Sequence, residues 1–319
     1  MRETMAVGVD LGGTKIASAL VTSGGRVLAA RHTATGAASG PEPVLDRLAG
    51  EVRALLAQAP GPLLGVGIGS PGQVIANRGV VRRAVNLGWD EVDLAGATLL
   101  RLDAPLPVLI QKDANASALG EYYFGAARGC ADFVYLSVGT GLGCGLVSGG
   151  RLVTGASWLP SDLGHLSLDP DGRQCACGLR GCAETLVSGP GLVNLARLWL
   201  TERRCPSCLK DGPDLTSEAI VAAARRGDPL AGAVFARVGA GLGQIMAVCV
   251  SILNPARIVL GGGLALAAFD LLVPPARLEM QRRILPWLYA SLEILPSQLT
   301  TSAVGPACLV WYGRGDPVE

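Results

Sequence analysis

Apolar residues fall along this chain in short runs that end on glycine. MAVGVD at 5–10 predicts a buried strand, and LGGTK follows at once as a tight turn. IASALVTSGG predicts a second strand closing on a Gly-Gly hairpin, and RVLAARHTAT a third. Over 43–59 the positions Val44, Leu45, Leu48, Val52, Leu55 and Leu56 have helical spacing. LLGVGIGSPG reads as a buried strand that ends in a Gly/Pro turn. PVLIQ at 107–111 reads as another, with a helix over ANASALGEYYFGAA directly after it.

The same order then returns. DFVYLSV predicts a buried strand, GTGLGCG a glycine turn, and CGLVSGGRLV a strand with its own Gly-Gly hairpin. Helices near 216–227 and 229–253 lead to RIVLGGG, a further strand and glycine turn at 257–263. This repetition of 5–30 at 133–153 predicts an internal duplication: two α/β domains, each presenting a glycine turn to a shared cleft. The division is expected at 1–113 and 114–299, with about 300–319 rejoining the N-terminal domain.

Composition narrows the function classes. Half of the 319 residues are hydrophobic but only 4% are aromatic, so the cores must be built mainly from Ala, Val, Leu and Ile. The 27 basic residues nearly cancel the 26 acidic ones, and no basic run stands out, which argues against a nucleic-acid partner. MRETMAVGVD is charged too early for a signal peptide. The longest uncharged stretch, 238–256, holds Gly239, Gly241, Gly243, Gln244, Asn254 and Pro255, and reads as a buried helix rather than a membrane span. Nine cysteines without an export signal imply reduced thiols and a cytoplasmic protein with no membrane partner.

The glycine turns carry the first chemistry. A turn without side chains, set after a buried strand, lets backbone N–H groups approach an anion. Gly12 and Gly13, with the Thr14 hydroxyl, form one such turn, and Gly139, Thr140 and Gly141 a second. Gly261, Gly262 and Gly263 could let an adenosine ring lie against backbone. Asp10, at its strand end, could hold Mg²⁺ through water. Neither turn matches a P-loop or a Rossmann fingerprint. For any single turn, glycine as a plain turn former explains it equally well; three in series point to a nucleotide.

SDLGHLSLDPDGRQCACGLRGCAE, at 161–184, concentrates ligand chemistry. His165, Cys175, Cys177 and Cys182 have the types and number of a closed four-coordinate zinc site. A Cys175–Cys177 disulfide would be strained, and a reducing compartment disfavours any bridge. Chance clustering is the remaining alternative. Asp113, between PVLIQ and the helix after it, reads equally as a helix N-cap or as a functional carboxylate.

DLGGTK, GTGLGCG and VLGGGLA, in this order, resemble the two phosphate motifs and the adenosine motif of the sugar kinase, actin and heat-shock ATPase superfamily. GIGSPG at 67–72, KDANASALGEYYFGAARG at 112–129 and CACGLRGCAE at 175–184 narrow the resemblance to the ROK family, nearest its bacterial glucokinase branch. The resemblance covers residues 5 to about 310. It implies two actin-like (ribonuclease H-like) domains with a cleft between them, and ATP-dependent phosphorylation of a sugar. It further implies Mg²⁺ near Asp10, Asp113 as the catalytic base, and structural Zn²⁺ on the four residues named. Asp162, His165 and Glu184 would bind sugar hydroxyls, and the assembly would be a homo-oligomer.

Two positions depart from the family pattern. Lys112 stands where the family usually has an Asn that contacts the sugar, and Asp162 replaces a glutamate in ExGH. Both put the identity of the acceptor in question: glucose, another hexose, an amino sugar, an N-acetylhexosamine or a cyclitol. A cation beside Asp113 would also favour its ionised form. Two rival classes follow from the same family: a sugar-sensing repressor, for which the nine residues before Asp10 leave no room for a helix-turn-helix, and a non-catalytic sugar binder. CPSC at 205–208 reads as an incidental turn, His32 as a solvated strand residue, and Asn86 as a possible neighbour of the sugar pocket.

Overall fold

The computed structural model describes residues 3–203 and 205–312. β1 (Met5–Leu11), β2 (Lys15–Thr22) and β3 (Val27–Ala34) form an antiparallel meander. β4 (Leu63–Ser70) runs parallel to β1, after the crossover helix α1 (Pro41–Leu56). α1 starts on a proline and buries Val44, Leu45, Leu48, Val52 and Leu55 of the predicted stripe, together with Ala49, while Leu56 at its end is only half-buried. A small antiparallel sheet follows: β5 (Gln73–Ile75), β6 (Val80–Ala84) and β7 (Trp89–Asp93). Asp93 then caps α2 (Leu94–Leu99) by accepting from Gly96 N–H at 2.9 Å. β8 (Val108–Lys112) joins β4 in parallel and runs straight into α3 (Asp113–Phe124).

The second half repeats the plan with β9 (Phe133–Val138), β10 (Leu142–Ser148) and β11 (Arg151–Leu152). Then come α4 (Gly189–Thr201), α5 (Ser217–Arg225), α6 (Pro229–Leu253), β12 (Arg257–Gly261) and α7 (Gly263–Ala267). α8 (Phe269–Gln281), β13 (Glu293–Pro296) and α9 (Val304–Tyr312) complete it. The two large sheets have strand orders β3-β2-β1-β4-β8 and β11-β10-β9-β12-β13, the same order element for element. Such topological identity is what the repeated sequence pattern foretold. It also explains the near-continuous apolar runs, since parallel strands covered on both faces have no polar side to show.

By internal contacts the chain forms two compact units. The first takes the residues up to Ala131, 145–161 and those from Gln298 on; the second takes 132–144 and 162–297. The sequence reading divided the chain at 113/114. In the structure α3 stays with the first unit because it packs on α9, β4 and β8. α6 is long and apolar enough to cross a membrane by length and composition, with a mean hydropathy of 1.7 in its most apolar window. However, 67% of that window is buried, and the helix packs on α4, α5 and α8 as a core element. Asn254, at φ 47°, ends it in a left-handed turn just before Pro255.

Candidate active site

Each unit carries part of the predicted site. In the first, Gly12 N–H donates to Lys15 O at 2.9 Å and closes the turn after β1. Thr35, fully buried just past the end of β3, staples that turn: its hydroxyl donates to Gly12 O at 2.7 Å and its N–H to Thr14 O at 3.0 Å. Nothing in the sequence around Thr35 signals this role. A Cβ on Gly13 would sit 3.0 Å from Asn86 O, so the turn and Asn86 are in close approach. Thr14 and Lys15 are exposed. Asp10 stands at the end of β1. Burial raises its pKa above the ordinary value, while a hydrogen bond from the Ser302 side chain and the nearby Lys15 ammonium pull it back.

Asp113 is the first residue of α3, and Lys112 holds the cap position without a side-chain cap bond. The N-cap reading of Asp113 therefore does not hold. Its Oδ1 instead accepts from the adjacent Ala114 N–H at 2.7 Å, and the residue is half-buried. Below it, the buried Gln111 Oε1 accepts from Lys112 N–H at 2.9 Å and from Asn115 Nδ2 at 3.3 Å, which ties the end of β8 to the first turn of α3.

In the second unit the turn after β9 is closed by Gly139 N–H on Gly141 O at 3.0 Å, and Gly139 O accepts from Gly189 N–H at 2.7 Å. The second bond brings in α4, whose start is capped by Ser188 accepting from Gly191 N–H at 3.0 Å. α4 was not predicted, although SGPG before LVNLARLWL, with proline in the first turn, is a legible helix start. Beside this turn lies a cavity of about 900 Å³ lined by Gly139, Thr140, Pro190, Asn194, Thr216 and Gly263 among others. An apolar pocket with a few convergent polar groups suits a nucleoside.

The Gly261–Gly263 run splits in role. Gly261 leaves room for the Tyr135 ring, Gly262 turns the chain at φ 86°, and only Gly263 faces open space and lines the cavity.

The cysteine loop closes as a knuckle. His165, Cys175, Cys177 and Cys182 place their ligand atoms all within 4.8 Å of one another. Cys175 Sγ lies 3.7 Å from His165 Nδ1, and Cys177 Sγ 3.6 Å from Cys182 Sγ. A tetrahedral zinc with thiolate bonds of about 2.3 Å requires ligand separations of about 3.8 Å, so the donor set fits the ion. Burial pushes the Cys182 thiol up to about 12, and the Cys177 sulfur beside it adds to the rise. Burial also raises Cys175. Cys177 is lowered despite its burial, chiefly by the Leu179 N–H. A dication supplies the charge needed to hold such a set as thiolates. With Nδ1 turned to the sulfurs, Nε2 is the ring nitrogen on the other side.

Both ends of this loop grip one residue of β10. Leu142 N–H donates to Glu184 Oε2 at 3.0 Å, while Gly164, which follows the exposed Asp162 by two residues, approaches Leu142 O so closely that a Cβ would collide with it. Glu184 and Gly164 thus tie the two ends of the loop to the strand that follows the second glycine turn. CPSC is a structural turn: Ser207 Oγ and Cys208 N–H donate to Asp228 at 3.0 Å and 2.7 Å. His32 is exposed on β3.

The ROK family sequence profile matches residues 6–310. A glucokinase of Streptomyces coelicolor is 34% identical over 318 residues, covering 96% of this chain and 97% of the relative. The crystal structure of a ROK family glucokinase from Streptomyces griseus, in complex with glucose and AMPPNP, aligns with a TM-score of 0.83 at 33% identity, over 96% of this chain and 98% of that one. The DNA-binding transcriptional repressor Mlc of Escherichia coli is 33% identical over 224 residues, covering 70% of this chain and 54% of the repressor. The architecture is accordingly the pair of actin-like α/β domains that the motifs led one to expect. The chain belongs to the ROK family, and it is a kinase of the sugar-phosphorylating kind.

Proposed function

We propose that this kinase transfers the γ-phosphoryl group of ATP to the 6-hydroxyl of glucose or a related hexose, with Asp113 as general base. The observation that carries the reading is the placement of Asp113: a half-buried carboxylate at the carboxyl end of a parallel strand, and not the helix cap. As the sugar oxygen bonds to the γ-phosphorus and the β–γ bridging P–O bond breaks, the hydroxyl proton passes to Asp113 and ADP leaves. Positioning and electrostatic stabilisation supply most of the rate in such transfers.

The cavity beside Thr140 and Gly263 takes the nucleoside, and the Gly12–Thr14 and Gly139–Gly141 turns take phosphates. Magnesium, arriving with the nucleotide, would meet Asp10 and neutralise phosphate charge. Zinc would be held by His165, Cys175, Cys177 and Cys182, and would stiffen the loop that presents Asp162, His165 Nε2 and Glu184 to sugar hydroxyls.

ADP release with Mg·ATP over a panel of glucose, mannose, fructose, amino sugars, N-acetylhexosamines and inositols tests the reading. Turnover on glucose is expected. Lys112, half-buried beside Asp113, favours a second reading in which the acceptor is another member of the panel. Absence of acceptor-dependent turnover across the panel would overturn both.

A further inference from the structure

Two buried amide side chains set the joint between β8 and α3. Lys112 N–H can only donate, and it meets the Gln111 side chain at 2.9 Å, so the atom facing it is the carbonyl Oε1. With Oε1 so placed, Asn115 turns its Nδ2 toward the same oxygen, at 3.3 Å. That orientation leaves Asn115 Oδ1 buried with no partner among the described residues. Gln111 is 3% exposed and Asn115 1%. In a native fold such an orphaned oxygen calls for a reason, and a functional site is a common one.

The start of α3 has little slack elsewhere. A Cβ on Gly145 of β10 would collide with Ala114 O, and one on Gly305 of α9 with Ala116 O, so bare backbone from two elements wedges the helix. Between the two amides lie Lys112, Asp113 and Ala114, and Asp113 Oδ1 accepts from Ala114 N–H at 2.7 Å. The direction of that carboxylate therefore follows the backbone of the joint. We propose that Gln111 and Asn115 are positioning residues for phosphoryl transfer: their amide pair fixes the strand-to-helix joint, and with it the direction in which Asp113 presents its carboxylate to the acceptor hydroxyl. Both amides are neutral, so they hold the backbone without adding charge beside Asp113. The inference rests on the reading of Asp113 as general base.

ADP-release kinetics of the full chain over the acceptor panel, with AMPPNP calorimetry and thermal melts, test it in wild type, Asn115→Ala, Gln111→Met and Gln111→Glu. Asn115→Ala removes one hydrogen bond together with an unpaired oxygen, so its melting temperature should stay near wild type. Its kcat should fall by about tenfold, and that of Gln111→Met, similar in shape but lacking both bonds, by about a hundredfold, the scale of an ångström-sized misplacement. Gln111→Glu keeps the acceptor and should recover kcat. AMPPNP affinity should match wild type in all of them. A pair that served the fold alone would lower the melting temperature and leave kcat at the wild-type value. That result overturns the proposal, as does a kcat that Gln111→Glu fails to recover. Should Gln111→Met not fold, Asn115→Ala decides. Failure of the underlying reading shows separately: wild-type turnover by Asp113→Asn, or no acceptor-dependent ADP release at all, overturns both.

Discussion

Glu184 Oε2 accepts a 3.0 Å hydrogen bond from the Leu142 N–H, and the neighbouring Gly141 has no room for a Cβ beside the same carboxylate oxygen. The glycine at the end of the second phosphate turn is thus the condition for a carboxylate at the end of the cysteine loop to dock. Gly141→Ala should break this bond, at a cost of about 1.5–3 kcal/mol for a hydrogen bond to a charged group. Both nucleotide and sugar KM should rise. Glu184→Gln keeps an acceptor for Leu142, so its melting temperature should stay near wild type while the sugar KM alone increases. Steady-state kinetics on both substrates, with thermal melts, separates the two effects.

Asp113→Asn should lower kcat by roughly a hundred- to ten-thousand-fold, the usual range for removing a general base. Binding of AMPPNP should be unchanged, because the lost group acts on the acceptor proton. Lys112→Asn should leave the melting temperature unchanged and shift the ranking of acceptors in the ADP-release panel. The same ranking before and after would remove Lys112 from specificity.

Metal analysis of purified protein should return one zinc per chain. Cys175→Ser or Cys177→Ser should lose it, with a rise in sugar KM and no change in AMPPNP affinity, because the nucleoside cavity has its own walls. Acidification should release the ion as the thiolates take up protons. A colorimetric zinc indicator follows that release directly.

Asp228 links the CPSC turn to α6. Burial works to raise its pKa, but the N–H groups of Ala231 and Cys208 and the Ser207 hydroxyl outweigh it and hold the carboxyl below its ordinary value of 3.8. A depressed folded pKa means the unfolded chain binds the proton first on acidification. The contribution to stability is therefore complete above the unfolded pKa and is lost as pH falls through the folded one. Asp228→Ala should cost about 2 kcal/mol near neutral pH, combining a lost helix cap with a lost charged hydrogen bond. The difference from wild type should shrink below about pH 4, the ordinary carboxylate range. Urea melts across that range measure it.

Where chemistry is local, the residue order already carries it. β1, β2 and β4 are largely apolar runs punctuated by glycine, and the recurrence of that pattern announces the duplicated sheet. His165, Cys175, Cys177 and Cys182 lie close enough along one loop for spacing alone to suggest a shared ion. β5 to β7 escape that reading because three to five residues, with charges at Arg82, Arg83, Asp90 and Glu91, are too short a run for alternation to register. α8 escapes it because Pro274 and Pro275 look like a break, yet the helix continues through them, packed on α6.

The remaining relationships belong to the folded chain. Thr35 on Gly12 and Glu184 on Leu142 each join segments remote in sequence, and no residue type near them announces the partner. Gly8 and Gly67 read as ordinary strand glycines until α9 lies against them. Periodicity and spacing express what neighbours along the chain do to one another. Which glycine must stay bare, and which hydroxyl meets which carboxylate, depends on backbones brought together only by packing.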